Sequence, residues 1–389
     1  MKKLLTIFLF FISYFISAQF DTEHWFAPMA DASNGSEAQQ YIYVSTNEST
    51  PFKVDIYNNN VIIGTINNLS KGSPQKFYIP REYIITSNNT EINAKATLGL
   101  HLVGEKKFFA NLRFSVSNHA EILTSKGKSA LGKNFYIGMG EQYIPTRIDY
   151  INGLNATENN TTIKLSGYNK DVIFSDGSTD DEKTIILNKG ESYIFETRVS
   201  DATANLDGLI GANLSADKPV SVTNGNFLSV AENKANYDIL MDQSAPTDRL
   251  GTEYVVLKGN GTASGLTDGY TEKSLVIATE DNTEVYINGA TTPTTTLSKG
   301  QFYFIRGNFY NPSGNIYNLY IKSTKPIYVY QFLGGTDGTG RTSEFATGGF
   351  NFIPALSCYL PNSIDEIGFV SEMPYLSNFE NYYNTKLNI

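Results

Sequence analysis

Carboxylates are the richest source of chemistry in this chain, and their spacing argues for structure before catalysis. Thirty-nine Asp and Glu (39) stand against 3 histidines and 1 cysteine. A glycan-active hydrolase needs only two carboxylates in one cleft, so composition alone leaves that chemistry open. The carboxylates sit mostly in turns that recur, however: Glu158 in ATENNT (156–161), Glu280 and Asp281 in ATEDNT (278–283). Catalytic residues rarely recur in the turns of every copy, whereas Asp and Asn in turns bond their own backbone and accept unusual φ and ψ. No serine sits in G-x-S-x-G and no H-E-x-x-H occurs. His24, His101 and His119 are too few for much metal or acid–base chemistry, and His24 has no second ligand at metal spacing. Cys358 has no intrachain partner and reads as a small apolar residue. The acidic turn Asp176–Glu182 offers oxygen ligands for a hard cation, with Asp176, Asp180 and Asp181 as weak calcium candidates. It lacks the spacing and closing Glu of a helix–loop–helix calcium site. The expectation is no catalytic residue, no enzyme activity, no metal and no cofactor.

The elements that carry these turns are strands. SLVIA (274–278), TEVYI (283–287), FYFI (302–305), YNLYI (317–321) and IYVYQF (327–332) alternate with period two, and Gly, Asn and Pro punctuate them. The Lys325-Pro326 pair is expected to divide the last two as a turn. The same grammar stands earlier: NKGESYIF (188–195) answers SKGQFYFI (298–305), and SADKPVSV (215–222) answers STKPIYV (323–329). A looser copy holds STNEST (45–50), SKG (70–72) and FYI (77–79), and NNN (58–60) reads as a hairpin tip. Three copies about 110 residues apart imply tandem units. The fold class is therefore all-β, with tandem antiparallel β-sandwich-like units in an elongated arrangement. A propeller is disfavoured because blades recur at roughly 40–50 residues.

Composition narrows the partners. The 389 residues carry a formal net charge of −9, without a basic stripe to neutralise phosphates, so nucleic acid is not an expected partner. Met1-Lys2-Lys3, the apolar run Leu4–Ile16 and Ser17-Ala18 read as a signal peptide. Removal of 1–18 would leave a mature start at Gln19, placing the protein outside the cell or on its outer surface. No later run is long and apolar enough for a helical membrane span. The domain reading is 1–18 signal peptide, 19–125, 126–245 and 246–345 as three β units, and 346–389 as the start of a fourth unit or a C-terminal cap. The unfinished copy suggests a piece of a longer protein.

Long Gly/Thr/Asn loops mark the third unit: 260–270, 308–315 and 334–349. Loops on a rigid sheet scaffold are where binding sites usually lie. If these gather at one end, they make a polar surface edged by Tyr270, Tyr310 and Phe345, suited to a glycan or a protein edge. Trp25, the only tryptophan, is a further candidate for recognition or for covering an edge of the first core.

Three stretches resemble a family. They are Tyr237–Pro246 (YDILMDQSAP) with Leu250–Val255 (LGTEYV), Ser215–Gly225 (SADKPVSVTNG), and Gly349–Pro361 (GFNFIPALSCYLP) with Ile364–Ile367 (IDEI). They resemble the N-terminal domain of IgG Fc-binding proteins, as found in secreted and gliding-motility-associated proteins of flavobacteria and their relatives. The resemblance implies a secreted or cell-surface module and supplies no catalytic residues. It does not by itself imply IgG binding. The functional expectation is binding or adhesion without catalysis, the partner being an extracellular glycan or protein. The alternatives are a structural spacer of a larger surface protein and a glycan-active hydrolase.

Overall fold

The alternating runs form strands, and the strands assemble three times in one order. The computed structural model describes residues 19–31, 40–116, 119–140, 149–230, 237–259, 273–314, 316–333 and 349–356. Each unit begins with an opening strand: Asp21–Phe26, Gly132–Tyr136 or Gly251–Leu257. A central strand follows: Tyr41–Ser45, Asp149–Ala156 or Lys273–Ala278. Then come a hairpin (Phe52–Asn58 with Val61–Leu69, Thr161–Ser166 with Glu182–Leu187, Thr283–Ile287 with Thr295–Leu297) and an edge strand (Gln75–Tyr78, Ser192–Arg198, Phe302–Ile305). A long strand (Leu100–Val116, Asn213–Val230, Ile316–Leu333) and a closing strand (His119–Thr124, Tyr237–Gln243, Gly349–Phe352) complete the unit. The hydrogen-bonded order is hairpin, long, central, edge in all three, and the opening and closing strands also pair with the long strand.

The long strand is the organising element, because it serves two sets of partners. In the third unit Ile321 lies opposite Ile287 of the hairpin and Val329 opposite Val276 of the central strand. Ala216 and Val222 do the same opposite Ile163 and Leu154 in the second. Sharing one strand this way wraps each unit into a nearly closed, barrel-like antiparallel sandwich. The expected turn at Lys325-Pro326 is not a turn: the strand runs through it from Ile316 to Leu333. The proline falls where the strand exchanges one partner for the next, between Ser323↔Val285 and Ile327↔Ala278. A residue without an N–H costs no ladder bond there. Pro219 occupies the same place between Ala216↔Ile163 and Val220↔Ala156.

The repeated sequence markers meet one another at this crossover. Thr157 Oγ1 donates to the Pro219 carbonyl and Thr279 Oγ1 to the Pro326 carbonyl, both at 2.6 Å. In the first unit Thr46 Oγ1 donates to the Lys107 carbonyl at 2.7 Å. Lys106, Lys218 and Lys325 each reach back to carbonyls of the hairpin-leading turn, at Thr50, Asn159 and Asp281 respectively. Asn160 and Asn282 take φ of 53° and 54° in those turns, a region Asn tolerates. Glu280 and its counterpart Glu158 accept from Thr283 and Thr161 through their backbone carbonyls. At the first hairpin tip Asn59 and Asn60 both have positive φ, as a two-residue primed turn requires.

The cores are shared across units. The cluster around Ile42, Val54 and Leu112 of the first unit includes Ile194, Phe227, Ile239 and Met241 of the second. The cluster around Leu154, Ile163 and Phe195 of the second includes Leu275, Tyr328, Tyr330, Phe332 and Phe350 of the third. The units are therefore docked through apolar faces, and removing one would expose the core of its neighbour.

Candidate binding surface

The stems of the third unit's long connections converge at one end. Lys273 pairs with Phe332, and Leu333 with Gly349, so the chain entering from 260–272 and the chain leaving into 334–348 are strand neighbours. Gln331 Nε2 donates to the Leu257 carbonyl at 2.5 Å, tying in the stem before residue 260. Leu257 and Asn311 both lie opposite Asn318, which adds the short arm Asn311–Ser313 to the same end. That arm is exposed. Lys273 sits beneath this end, buried, with its ammonium over the rings of Phe304 and Phe332 at 4.7 and 5.5 Å. Cation–π contacts of this kind hold a desolvated ammonium in place. Nothing in the sequence singles out Lys273, because a lysine at the start of a strand carries no motif.

The candidate side chains fall in different places. Tyr270 and Phe345 lie outside the described residues. Tyr310 is 5% exposed and belongs to the third core with Tyr254 and Leu319. The short turn Gly307–Phe309 directs the chain so that Tyr310 packs inward while Asn311 and Pro312 face out. Its ring is a core element rather than the edge of a polar surface.

Trp25 is likewise internal, at 3% exposure, with its ring stacked on His101 at 3.8 Å. A surface role would need that stack opened. His101 Nε2 lies 3.3 Å from the Glu23 carboxylate, and Lys128 lies 3.3 Å from it on the other side. The His101 hydrogen bond, opposed by partial burial and aided by Lys128, holds Glu23 down at about 2. Burial lowers the His101 pKa despite that carboxylate. His24 is fully enclosed, and burial brings it down to about 4. Its neutral ring donates Nε2–H to the Phe108 carbonyl at 2.8 Å.

The acidic turn of the second unit is filled by a protein cation. Lys183 Nζ lies 3.0 Å from Asp180 and 4.0 Å from Asp176, and bonds Ser178. An ammonium beside Asp180 and Asp176 supplies positive charge of the kind calcium would bring. Among the described residues no group of three or more His, Cys, Asp or Glu could hold a metal ion.

A polar knot joins all three units around Asp242 and Gln243, which sequence reasoning quoted only for resemblance. Asp242 Oδ1 receives Lys126 Nζ at 2.9 Å, from the segment following the first unit. Its Oδ2 accepts the Phe352 backbone N–H at 2.8 Å, from the third. Beside it Gln243 accepts the Lys126 N–H at 2.6 Å through Oε1, and donates from Nε2 to the Trp25 carbonyl at 2.7 Å. Lys126 is thus an inter-unit tie. Both ionic partners are only 12% exposed along their side chains, so removing either would strand a buried charge.

Among the described residues no helix is long and apolar enough to cross a membrane, which says nothing of strands. The model of the IgGFc binding protein family matches residues 121–389. The match begins within the first closing strand and takes in the second and third units. Neither a curated protein nor a solved structure matches the chain.

Proposed function

The chain belongs to the IgGFc binding protein family, and from that premise we propose that it is a secreted or cell-surface module that recognises a glycan or a protein without chemistry of its own. The site of recognition in this reading is the loop-bearing end of the third unit. One observation carries it: the stems of 260–272 and 334–348 and the exposed arm Asn311–Ser313 are brought together by Lys273↔Phe332, Leu333↔Gly349 and the Gln331–Leu257 hydrogen bond. Gathering connections on a rigid strand framework is how a sheet protein builds a recognition surface. Tyr270 and Phe345 are the aromatic residues that this reading assigns to the loops, where large rings would supply contact area at little entropic cost. The family name speaks of immunoglobulin Fc, and Fc is one protein probe among others.

The test is a binding screen of the mature chain against glycans and host proteins, Fc included, repeated with Tyr270→Ala and Phe345→Ala. Saturable binding that weakens by about tenfold or more, the loss of ~1.4 kcal/mol, is the expected result. No saturable binding to any probe would favour the spacer reading, to which the shared cores between units lend support. Binding untouched by both substitutions would move the site off these loops, and product release would establish the hydrolase. Secretion is checked separately by N-terminal sequencing of exported material, which is expected to begin at Gln19.

A further inference from the structure

The outer side of one edge strand is filled in the second unit and left open in the third. The two strands correspond residue for residue. Ser192–Arg198 and Phe302–Ile305 each pair along one side with their central strand. The pairing starts from matching bonds, Ala156 N–H to the Glu191 carbonyl at 3.1 Å and Ala278 N–H to the Gln301 carbonyl at 2.9 Å. The residue before each strand is held alike, since the Glu191 side chain accepts the Asn188 N–H and the Gln301 side chain the Ser298 N–H. In an antiparallel pair the bonds to one neighbour come from every second residue. Tyr193 and Phe195, like Tyr303 and Ile305, therefore direct their backbone groups at the central strand. Ser192, Ile194 and Glu196 turn theirs outward, and so do Phe302 and Phe304.

For the second unit, the first unit supplies the missing neighbour. Lys95–Ala96 pairs with Tyr193 and Ser192 as an added strand. Asn93 N–H donates to the Ile194 carbonyl at 2.8 Å. The Asn93 side chain closes the ladder, accepting the Glu196 N–H and donating to the Glu196 carbonyl, both at 3.1 Å. Ser192, Ile194 and Glu196 are fully buried. The second unit offers the third nothing comparable. Its connection over 199–212 turns through Thr203–Leu206 and through a bond from Ile210 N–H to the Asp207 carbonyl. It meets the third unit at Gly211, where a Cβ would lie 1.8 Å from the Gly300 carbonyl oxygen, and Gly300 precedes the strand. Phe302, Tyr303 and Phe304 remain partly exposed. Among the described residues no group bonds the outward N–H and C=O of Phe302 and Phe304.

We propose that the outer side of Phe302–Ile305 is a binding site for an extended peptide segment of a partner protein, added antiparallel as residues 93–96 are added to the second unit. The site repeats an interface that the chain already uses within itself, one unit further on. Its outward groups recur at every second residue, about 6.8 Å apart. That is the repeat of a peptide backbone, which a sugar chain does not match, so the occupant is a protein and not a glycan. Main-chain bonds at a sheet edge supply affinity, and the flanking side chains supply selectivity. The strand added to the second unit shows what fits. Ala96 is buried, and Lys95 lies outside with its ammonium 3.4 Å from Glu191. Gln301 stands where Glu191 does, so the third unit asks for no cation at that place. Phe302 and Phe304 replace Ser192 and Ile194, and their rings pack toward the second unit's core. The matching peptide is extended and carries small apolar residues where it passes the two rings. This site does not depend on the loop residues Tyr270 and Phe345.

The probe is a synthetic peptide with the sequence of residues 91–98, EINAKATL. It is titrated to millimolar concentration into the mature chain, and binding is read by amide hydrogen exchange. Before addition the Phe302 and Phe304 amides should exchange about tenfold or more faster than those of Tyr303 and Ile305. Saturable binding should then slow the two outward amides by about tenfold or more. A peptide N-methylated at the position of Asn93 lacks the N–H that would meet the Phe304 carbonyl, and should bind at least about tenfold more weakly. Phe302→Pro removes one outward N–H at the first strand position, where proline is tolerated, and should weaken binding as well. The methylated peptide keeps the test decisive whatever that substitution does to folding. Outward amides already protected in the chain alone overturn the proposal. So does the absence of saturable binding, binding that leaves those two amides exchanging as before, or equal affinity for the methylated peptide.

Discussion

The two seams inside this chain use one face of the fold and fill it in opposite ways. At the first seam the second unit offers Gly153, and a Cβ there would lie 1.8 Å from the Pro28 carbonyl oxygen. Backbone meets backbone, and the side chain has been removed to allow it. At the second seam the third unit offers Tyr330. It is the second unit that gives way, through Gly138, whose Cβ would lie 2.4 Å from the Tyr330 ring. Tyr330 stacks on Phe350 at 4.6 Å with the planes 9° apart, and its hydroxyl meets Ser244. Topology fixes where units touch, while residue volume fixes how. A glycine on one side and an aromatic ring on the other are alternative solutions to close packing.

Breaking the first seam should have the largest effect. Gly153→Val places a branched side chain against main chain that has no rotamer with which to yield. We expect a loss of at least about 4 kcal/mol or failure to fold, measured by denaturant unfolding. A loss below about 1 kcal/mol would show that the Pro28 contact is not fixed. The aromatic seam should fail more gently, because a cavity can partly collapse. Tyr330→Ala should cost about 3–5 kcal/mol, whereas Tyr330→Phe should cost only about 1 kcal/mol, leaving Ser244 without that partner. Equal costs for the two substitutions would mean that the hydroxyl and not the ring holds the seam.

A smaller effect separates the seams by pH. His24, under the first unit, is held neutral by burial with its pKa down at about 4. Below the ordinary value of 6.5 the unfolded chain takes up a proton that the folded chain refuses until about 4. Stability should therefore be level above pH 6.5 and fall as pH drops from 6.5 to 4, by at most about 3 kcal/mol. Glu23, lowered to about 2, adds a further loss between 4.5 and 2. Burial raises the Tyr330 pKa, so its phenol does not titrate in that window. Unfolding followed by Trp25 fluorescence at pH 7 and 4.5 should show the drop, and His24→Gln should reduce it, leaving the part that the lowered His101 adds. A midpoint indifferent to pH in the unaltered chain would refute the assignment.

Much of the architecture was legible because it is local. Asn58–Asn60 announces a hairpin through its residue types, and the structure has positive φ at Asn59 and Asn60. The Ala-Thr-Glu and Lys-Pro markers repeat because each Thr hydroxyl must find its proline carbonyl. The expected turn at Lys325-Pro326 failed for a non-local reason. A proline in an alternating run looks like a break until the partner strands are known, and here they change over at that residue. Tyr310, a candidate edge of the polar surface, is internal, and Trp25 is buried, as its alternative role of covering the first core requires. Tyr310 stands in a loop-rich stretch without periodic neighbours to reveal which side it faces.

The sequence by itself determined the alternating segments that become strands, the turns marked by Asn and Gly, the threefold repeat and the family. Those depend on period-two alternation, on Asn, Gly and Pro at turns, and on marker residues read along the chain. Only the tertiary structure decided which face of each unit is buried against its neighbour, that Asp242 ties Lys126 to Phe352, and that the stems of the third unit's loops converge. Each of those joins groups far apart in sequence, and alternation marks two faces of a strand without saying what will lie on either. A strand such as Tyr41–Ser45 carries the same pattern whether its tyrosines meet solvent or another unit. The choice is made by which surfaces the rest of the chain can bring to it, and that is a property of the assembled fold.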